Sequence, residues 1–427
     1  MKVLHINTHE SQGGAARAAY RIHEALLKEG VDSYFYALFP GDDGKRTLYG
    51  KPKSKVGRGY WKIHKAIGQL YEQIVKRVVC VNQSVPISLG VASTLNREFI
   101  REFNPDVIHL HWICGSFISI EDLKWLAQYP LVWTQHDTWA VTGGCHYNEE
   151  CQKYKTECEK CHLFKSVFCI DLAKILFNRK KNSYSNANIK VVGCSHWIAD
   201  LARKSVVFSD KDVFCVQNTL NNEVFKPKDK LSVRKILGLP QEKKIVLFGA
   251  MNSTSDKRKG FQYLLDAIQY LLKSRVSFDF ELMVFGSKEP ENPPDFGVPV
   301  HYMGRFSDDL SLSMIYSAAD VMLVPSMYEN FPNTGLESLN CGTPVAAFRI
   351  GGIPDQIDHK VNGYLAEPYD SEDLARGIAY ILEDEERWQQ MSRAARKKAE
   401  ECFNEERIAQ EYIKVYEIAR KGRYIIK

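Results

Sequence analysis

Val321-Met-Leu-Val-Pro-Ser-Met-Tyr-Glu-Asn-Phe-Pro-Asn-Thr-Gly-Leu-Glu-Ser-Leu-Asn-Cys-Gly-Thr-Pro-Val-Ala-Ala-Phe348 reads as strand, loop, helix, turn and strand. Val321 to Val324 is a short apolar run between Asp320 and Pro325, as a buried parallel strand requires. Asn333 is the expected N-cap of the helix that follows. Gly342 suits the position just past its end, and Thr343-Pro344 forbids continuation. Val345 to Phe348 is then the next strand.

Two carboxylates bracket the loop: Glu329 lies before the helix and Glu337 about one turn inside it. A helix N-terminus carries unpaired N–H groups and the positive end of the dipole, so it receives anions. A diphosphate placed there, beside Asn330, Phe331, Asn333, Thr334 and Gly335, leaves Glu337 to accept hydrogen bonds from a ribose diol. Glu329 is then placed to hold a second hydroxylated group. This constellation fits a sugar nucleotide better than a bare phosphate. Either glutamate alone would do no more than complement the helix dipole.

Glu329 and Glu337 resemble the E-x7-E motif of the family 4 glycosyltransferases, retaining enzymes of GT-B fold. Pro325-Ser326, Gly342-Thr343-Pro344-Val345 and Gly351-Gly352-Ile353-Pro354-Asp355 fit the same pattern, with Asp355 where the family usually has Glu. The resemblance implies an α/β chain with two Rossmann-like, doubly wound parallel-sheet domains facing a cleft. It also implies sugar transfer from a nucleoside diphosphate donor to a glycan, or lipid-linked, acceptor in surface polysaccharide synthesis. No catalytic cofactor is implied. The expected domains are 1–218, with a cysteine-rich insert at 143–164, then 219–404, and a last helix at 405–427 packing back on the first domain.

With 427 residues, 44% hydrophobic and 26% charged, the chain suits two or three soluble globular domains. No run approaches the ~20 apolar residues of a membrane helix. Met1-Lys-Val-Leu-His-Ile6 enters a strand directly and lacks a signal-peptide pattern, so a cytoplasmic location is expected. The net charge of +5 has no nucleic-acid motif beside it, and no nucleic-acid partner is expected.

Val3 to Ile6 is the first strand, and Gly13-Gly14 opens the first helix, where backbone can approach a ligand. In the family the paired glycine lies near the diphosphate or the acceptor. The alternative is a tight turn with no ligand. Neither G-x-G-x-x-G nor a Walker A sequence is present, which argues against a dinucleotide oxidoreductase or a P-loop enzyme. From Lys51 to Val79 eight Lys and Arg residues face one acid, Glu72, with Tyr60, Trp61, Ile63, Ile67, Leu70, Tyr71 and Ile74 interleaved. Such a segment either packs an apolar face on the first domain or rests on an anionic membrane surface on the cytoplasmic side.

Asn104-Pro-Asp-Val-Ile-His-Leu-His-Trp112 and Leu131-Val-Trp-Thr-Gln-His-Asp-Thr-Trp139 are further strands. His136 stands at a carboxyl strand end, where open α/β sheets bind ligands. It matches the family's histidine near the donor sugar. A core histidine oriented by Asp137 is the alternative. Cys145, Cys151, Cys158 and Cys161 follow, the last two at metal-ligand spacing. A structural zinc site, with His146 or His162 able to replace one thiolate, is the leading expectation. Two disulfides or unligated thiols are the alternatives. A similar insert occurs in members resembling colanic-acid and capsule glycosyltransferases.

In the second half, Lys259-Gly260 matches the family, while Ala250 and Met251 stand where Arg-Leu is usual. The resemblance assigns Lys259 to the departing diphosphate, Glu329 to the transferred sugar, and His136 to the sugar from the first domain; Arg258, or else Lys257, is the candidate to replace the family's missing arginine. An epimerase or hydrolase of the same architecture, or a non-catalytic sugar-nucleotide-binding protein, is the rival reading.

Overall fold

The computed structural model describes every residue except 42–43, 52–53, 82–85, 166–169, 186, 250–255, 275, 307 and 422–427, together with the side chains of 60 and 64. Ala250, Met251 and Lys53, and the side chain of Tyr60, therefore lie outside the described residues. Contacts divide the chain into two units, Met1–Asn218 with Ile408–Lys427, and Thr219–Arg407.

Unit 1 runs β1 (Lys2–His9), α1 (Gly14–Lys28), β2 (Asp32–Phe39), β3 (Thr47–Leu48), α2 (Lys55–Val79), α3 (Arg97–Phe103), β4 (Val107–Leu110), α4 (Ile120–Leu126), β5 (Leu131–Gln135), α5 (Leu172–Tyr184), β6 (Ile189–Gly193), α6 (His196–Lys204) and β7 (Val213–Cys215). Its seven strands are all parallel, in the order β3-β2-β1-β4-β5-β6-β7. A parallel sheet is covered on both faces, so its strands alternate between two cores rather than between core and water. Leu4, Ile108, Leu131 and Val191 enter one core, and Val3, Val107, Val132 and Val192 the other. The second core is closed by Ile408, Tyr412, Val415 and Tyr416 from the end of the chain. Trp61, Val75 and Val79 of α2 pack on the first core, and Glu72 accepts from the Leu89 amide (3.0 Å) and the Ser116 hydroxyl (2.9 Å).

Unit 2 contains α7 (Lys230–Leu237), β8 (Lys244–Gly249), α8 (Phe261–Lys273), β9 (Phe280–Phe285), β10 (Val300–Tyr302), α9 (Asp309–Ala318), β11 (Val321–Val324), α10 (Asn333–Asn340), β12 (Val345–Phe348), α11 (Ile353–Gln356), β13 (Gly363–Ala366), α12 (Ser371–Leu382) and α13 (Glu385–Cys402). The last helix, α14 (Glu405–Lys421), begins here and continues into unit 1. The six strands are parallel, in the order β10-β9-β8-β11-β12-β13. In each sheet the order reverses once, between β1 and β4 and between β8 and β11. Loops leaving those strand ends diverge and open a crevice, so ligand sites are sought there.

Candidate active site

In unit 2 both loops at the reversal carry the residues singled out by sequence. After β8, Lys257–Lys259 form one 3-10 turn capped by Asp256, which accepts from the Arg258 amide (3.1 Å). The turn closes on Gly260 at φ 74°, and a Cβ there would lie 1.7 Å from the Pro325 carbonyl oxygen. Only glycine lets this turn lie on the end of β11. Lys259 Nζ forms an ion pair with Glu329 Oε1. Arg258 points elsewhere: its Nε and a terminal nitrogen reach Asp256 at 3.1 and 2.6 Å. The Glu329 backbone is held by its other neighbour. Its carbonyl accepts from the Gly352 amide (3.3 Å), and a Cβ at Gly351 would lie 1.9 Å from that oxygen.

The helix that follows begins one residue earlier than the sequence suggests. Leu336 N donates to the Pro332 carbonyl (3.2 Å), so Pro332 is the N-cap and Asn333 the first helical residue. Pro332 supplies no side-chain cap. Phe331 is buried and meets Phe403 edge-on at 5.6 Å. Asn330 and Gly335 are buried, and Asn333 and Thr334 are partly exposed. Gln356 donates to the Pro332 carbonyl (3.0 Å) and fixes the loop from behind. Glu337 is buried, and its Oε2 accepts from the Tyr316 hydroxyl at 2.7 Å. The two glutamates thus differ: Glu329 is paired to a lysine in a partly open loop, and Glu337 is fixed by a tyrosine beneath the helix. The helix ends as expected, with Gly342 at φ 72° and the Gly342 and Thr343 amides donating back to Leu339 and Ser338, both at 3.0 Å.

In unit 1, Gly13 (φ 96°) caps α1 without a side chain, and Gly14 is its first residue. His136 follows β5 directly. Its ring nitrogen Nε2 meets His111 Nδ1 at 3.2 Å, and His111 Nε2 meets His5 Nδ1 at 2.9 Å. His109 is held by Tyr416 (2.7 Å) and Thr134 (2.8 Å). Burial lowers the pKa of all four, for His136 to about 4, and repulsion from neighbouring histidines adds to the effect on His5, His109 and His111. The rings are therefore neutral at pH 7, and each holds one proton to donate. His5, His109 and His111 are the only three-donor cluster close enough for an ion among the described residues, yet both nitrogens of His109 and His111, and Nδ1 of His5, are already engaged with other rings or hydroxyls.

Asp137 does not serve as the orienter of His136. Its carboxylate takes His146 Nδ1 (2.6 Å), Trp112 Nε1 (2.9 Å) and the Trp139 amide (2.8 Å). Burial raises its pKa, but these partners outweigh it and the net shift is downward. The other ring nitrogen of His146 meets Ser88 Oγ at 2.9 Å, so His146 is committed at both nitrogens and is corrected as a candidate metal ligand. Cys145, Cys151, Cys158 and Cys161 line one cavity of about 40 Å³, with His162 at its edge. They are unpaired as disulfides. No three of the sulfurs lie within 4.8 Å of one another, whereas bonds of ~2.3 Å place tetrahedral zinc thiolates roughly 3.8 Å apart. The donor set fits zinc in number and kind, and the cavity would have to contract to bind it. Beside it Lys180 is buried, donating to the carbonyls of Trp139 and Thr142, the latter at 2.9 Å, and desolvation lowers its pKa to about 8.

Sequence reading missed His5, His111, Tyr316 and Gln356. The alternation His109-Leu-His111 was the available signal for the histidines, because it places both imidazoles beside the apolar alternation of a buried strand.

Residues 12–223 match the family model described as Glycosyltransferase Family 4, and residues 242–384 the model described as Glycosyl transferases group 1. A protein of Escherichia coli K12 described as a glycosyl transferase of colanic acid biosynthesis is 22% identical over 380 residues, covering 81% of this chain and 83% of its own. The fold is similar to that of sucrose-phosphate synthase from Thermosynechococcus elongatus (TM-score 0.67, 20% identity, 99% and 100% of the two chains). It is also similar to that of the Anabaena HepE protein solved with UDP and glucose (TM-score 0.62, 17% identity, 98% and 100%).

Proposed function

Because this chain is a glycosyltransferase of family 4 and GT-B fold, we propose that unit 2 binds a nucleoside diphosphate sugar and that the enzyme moves its sugar, with retention, to a lipid-linked glycan acceptor in surface polysaccharide synthesis. The observation that carries the donor assignment is the Lys259–Glu329 pair, at the reversal of the sheet and beside a helix start without a side-chain cap.

Departure of the nucleoside diphosphate is the step that needs help, since negative charge accumulates on its bridging oxygen. In the free enzyme the Lys259 ammonium is neutralised by Glu329. A diphosphate at the start of α10 competes for that ammonium, and Glu329 is released toward the hydroxyls of the sugar. Lys259 and the first-turn amides of α10 then face the developing charge. Glu337, held by Tyr316, accepts from the ribose. Arg258 contributes by leaving Asp256 for the phosphates. On unit 1, neutral His136 offers an N–H to a sugar hydroxyl, and the Gly13-Gly14 backbone is assigned to the acceptor side.

The cysteine insert is proposed to hold a structural zinc through Cys145, Cys151, Cys158 and Cys161, with no part in the reaction. Its support is the shared cavity. One metal per chain by elemental analysis is expected, and fully active metal-free protein would refute it.

Thermal-shift titration with UDP, GDP, ADP and their sugars tests the donor assignment, because a ligand of the native state stabilises it by RT ln(1 + [L]/Kd). One nucleotide should shift the transition selectively. Glu329→Ala should keep most of that shift and lose transfer. Full turnover by this variant would defeat the assigned role, and no shift with any nucleotide would favour a degenerate donor site.

A further inference from the structure

The longest helix of unit 1, α2, is apolar on two opposite faces. One face meets the domain core through Trp61, Val75 and Val79. The other bears Val56, Ile63, Ile67, Leu70, Ile74 and Val78, every one of them more than half exposed, from 51% at Ile74 to 84% at Val56. At 3.6 residues per turn these six fall within an arc of roughly 80°, along a helix about 37 Å long. Isolated exposed apolar residues are ordinary, but a continuous stripe of this length needs an occupant. Packing on the domain accounts for the core-facing residues and leaves this stripe bare.

Charge identifies the occupant. Lys55, Lys62 and Arg77 are exposed along one flank of the stripe. The single acid of the segment, Glu72, points the other way, into the domain, and is hydrogen-bonded there. A second copy of the chain laid on this face would bring basic flanks together without a carboxylate between them. A bilayer surface of anionic lipid satisfies both features: headgroup phosphates meet the lysines and arginine, while the branched side chains enter the acyl boundary. No helix among the described residues is long and apolar enough to cross a membrane, so the contact is one of lying on the surface.

We propose that α2 is a membrane-docking surface, seating unit 1 in the plane of an anionic bilayer through the stripe from Val56 to Val78. The proposal deepens the lipid-linked acceptor assigned above, and its test does not depend on transfer.

Full-length protein is sedimented with vesicles of pure phosphatidylcholine and of phosphatidylcholine containing phosphatidylglycerol. Binding to the anionic vesicles, weakened by salt, is expected. The double substitution Ile67→Asp and Ile74→Asp should lower partitioning at least tenfold, and Lys62→Glu with Arg77→Glu should remove the salt-sensitive part. All four side chains are exposed, so the thermal transition and any nucleotide-induced shift should be unchanged in both variants. Failure of the wild type to bind either vesicle would overturn the proposal. So would equal binding by the aspartate variant, or a concentration-dependent dimer that this variant abolishes. Vesicle binding without any nucleotide shift would uphold the docking surface while removing the donor assignment.

Discussion

The two units solve the same topological problem with opposite electrostatics. Each is a parallel sheet whose order reverses once, and each carries its candidate residues on the strands at or beside that reversal, or just beyond their ends. At that end unit 1 gathers buried imidazoles that carry no charge, linked ring to ring as His136–His111–His5. Unit 2 gathers full charges and pairs them, Lys259 with Glu329 and Arg258 with Asp256. A side chain that neutralises a diphosphate has to be charged, and pairing keeps it tolerable while the site is empty. A group that must meet neutral sugar hydroxyls works best as a fixed dipole. The difference between the sites therefore follows the charge of what each is proposed to touch.

This contrast gives the largest predicted effect, on stability in acid. His5, His23, His109 and His111 are buried, and burial lowers the pKa of each in the folded state, for His23 to about 4. The unfolded chain takes up protons as pH falls through about 6.5, while the native rings stay neutral. Unit 1 is thus fully stable above that value and loses stability as pH falls from 6.5 toward 4. Well below 6.5 each such histidine costs about 1.4 kcal/mol per pH unit. In unit 2 the buried carboxylate of Asp320 runs the other way. Burial would raise the pKa of Asp320, but Lys230 and Arg234 hold it below its ordinary value. Its contribution is present above about pH 3.9 and fades only below that. Six of the seven tryptophans belong to unit 1, so denaturation followed by tryptophan fluorescence reports chiefly on that unit. A midpoint unchanged between pH 7 and 5 would break the comparison.

Next in size is the cation of unit 2. Lys259→Ala should lower kcat by about 10²–10³, the usual cost of losing one preorganised donor to developing charge. Arg258→Ala should cost less, because its guanidinium gives up the Asp256 pair to reach the phosphates and its net contribution is smaller. Steady-state kinetics of the two variants decide this. A larger loss at Arg258 would make it, rather than Lys259, the main cation facing the departing diphosphate.

Backbone geometry comes third. Gly260→Ala places a methyl within 1.7 Å of the Pro325 carbonyl, at a φ of 74° that alanine resists. The turn must move off β11, taking Lys259 with it. A loss of about 1–3 kcal/mol in unfolding free energy is expected, together with a weaker nucleotide shift.

These magnitudes also show what sequence could reveal. The strand–helix alternation, the Gly342 terminator and the Lys259, Glu329 and Glu337 set are local signals, readable from residue type and spacing. The sequence places the cap at Asn333, one residue late. Pro332 already accepts the first helical bond there, which depends on backbone direction rather than composition. The histidine chain was illegible for a different reason. His5, His111 and His136 lie on or just beyond β1, β4 and β5, and they become neighbours only when the sheet order is known. The bare stripe of α2 was half legible: periodicity gave an amphipathic helix, but not which of two apolar faces the domain would use.

The smallest predicted effect separates the parts of the nucleotide. Tyr316 donates to Glu337 Oε2 from beneath α10, and both side chains are buried. Tyr316→Phe removes that donor without changing the ring packing against Phe285. The carboxylate then loses a hydrogen bond of the kind worth about 1.5–3 kcal/mol to a charged group, and part of that should appear as lost stability. More telling is the ligand dependence. If Glu337 holds the ribose, a less constrained carboxylate weakens the preferred nucleoside diphosphate several-fold and leaves inorganic pyrophosphate unaffected, because the phosphates depend on Lys259 and the helix amides. Calorimetric titration of both ligands into both proteins measures the split. Equal weakening of the two would move Glu337 from the ribose to a role in holding the start of α10. In that case ribose recognition would have to be sought elsewhere in unit 2.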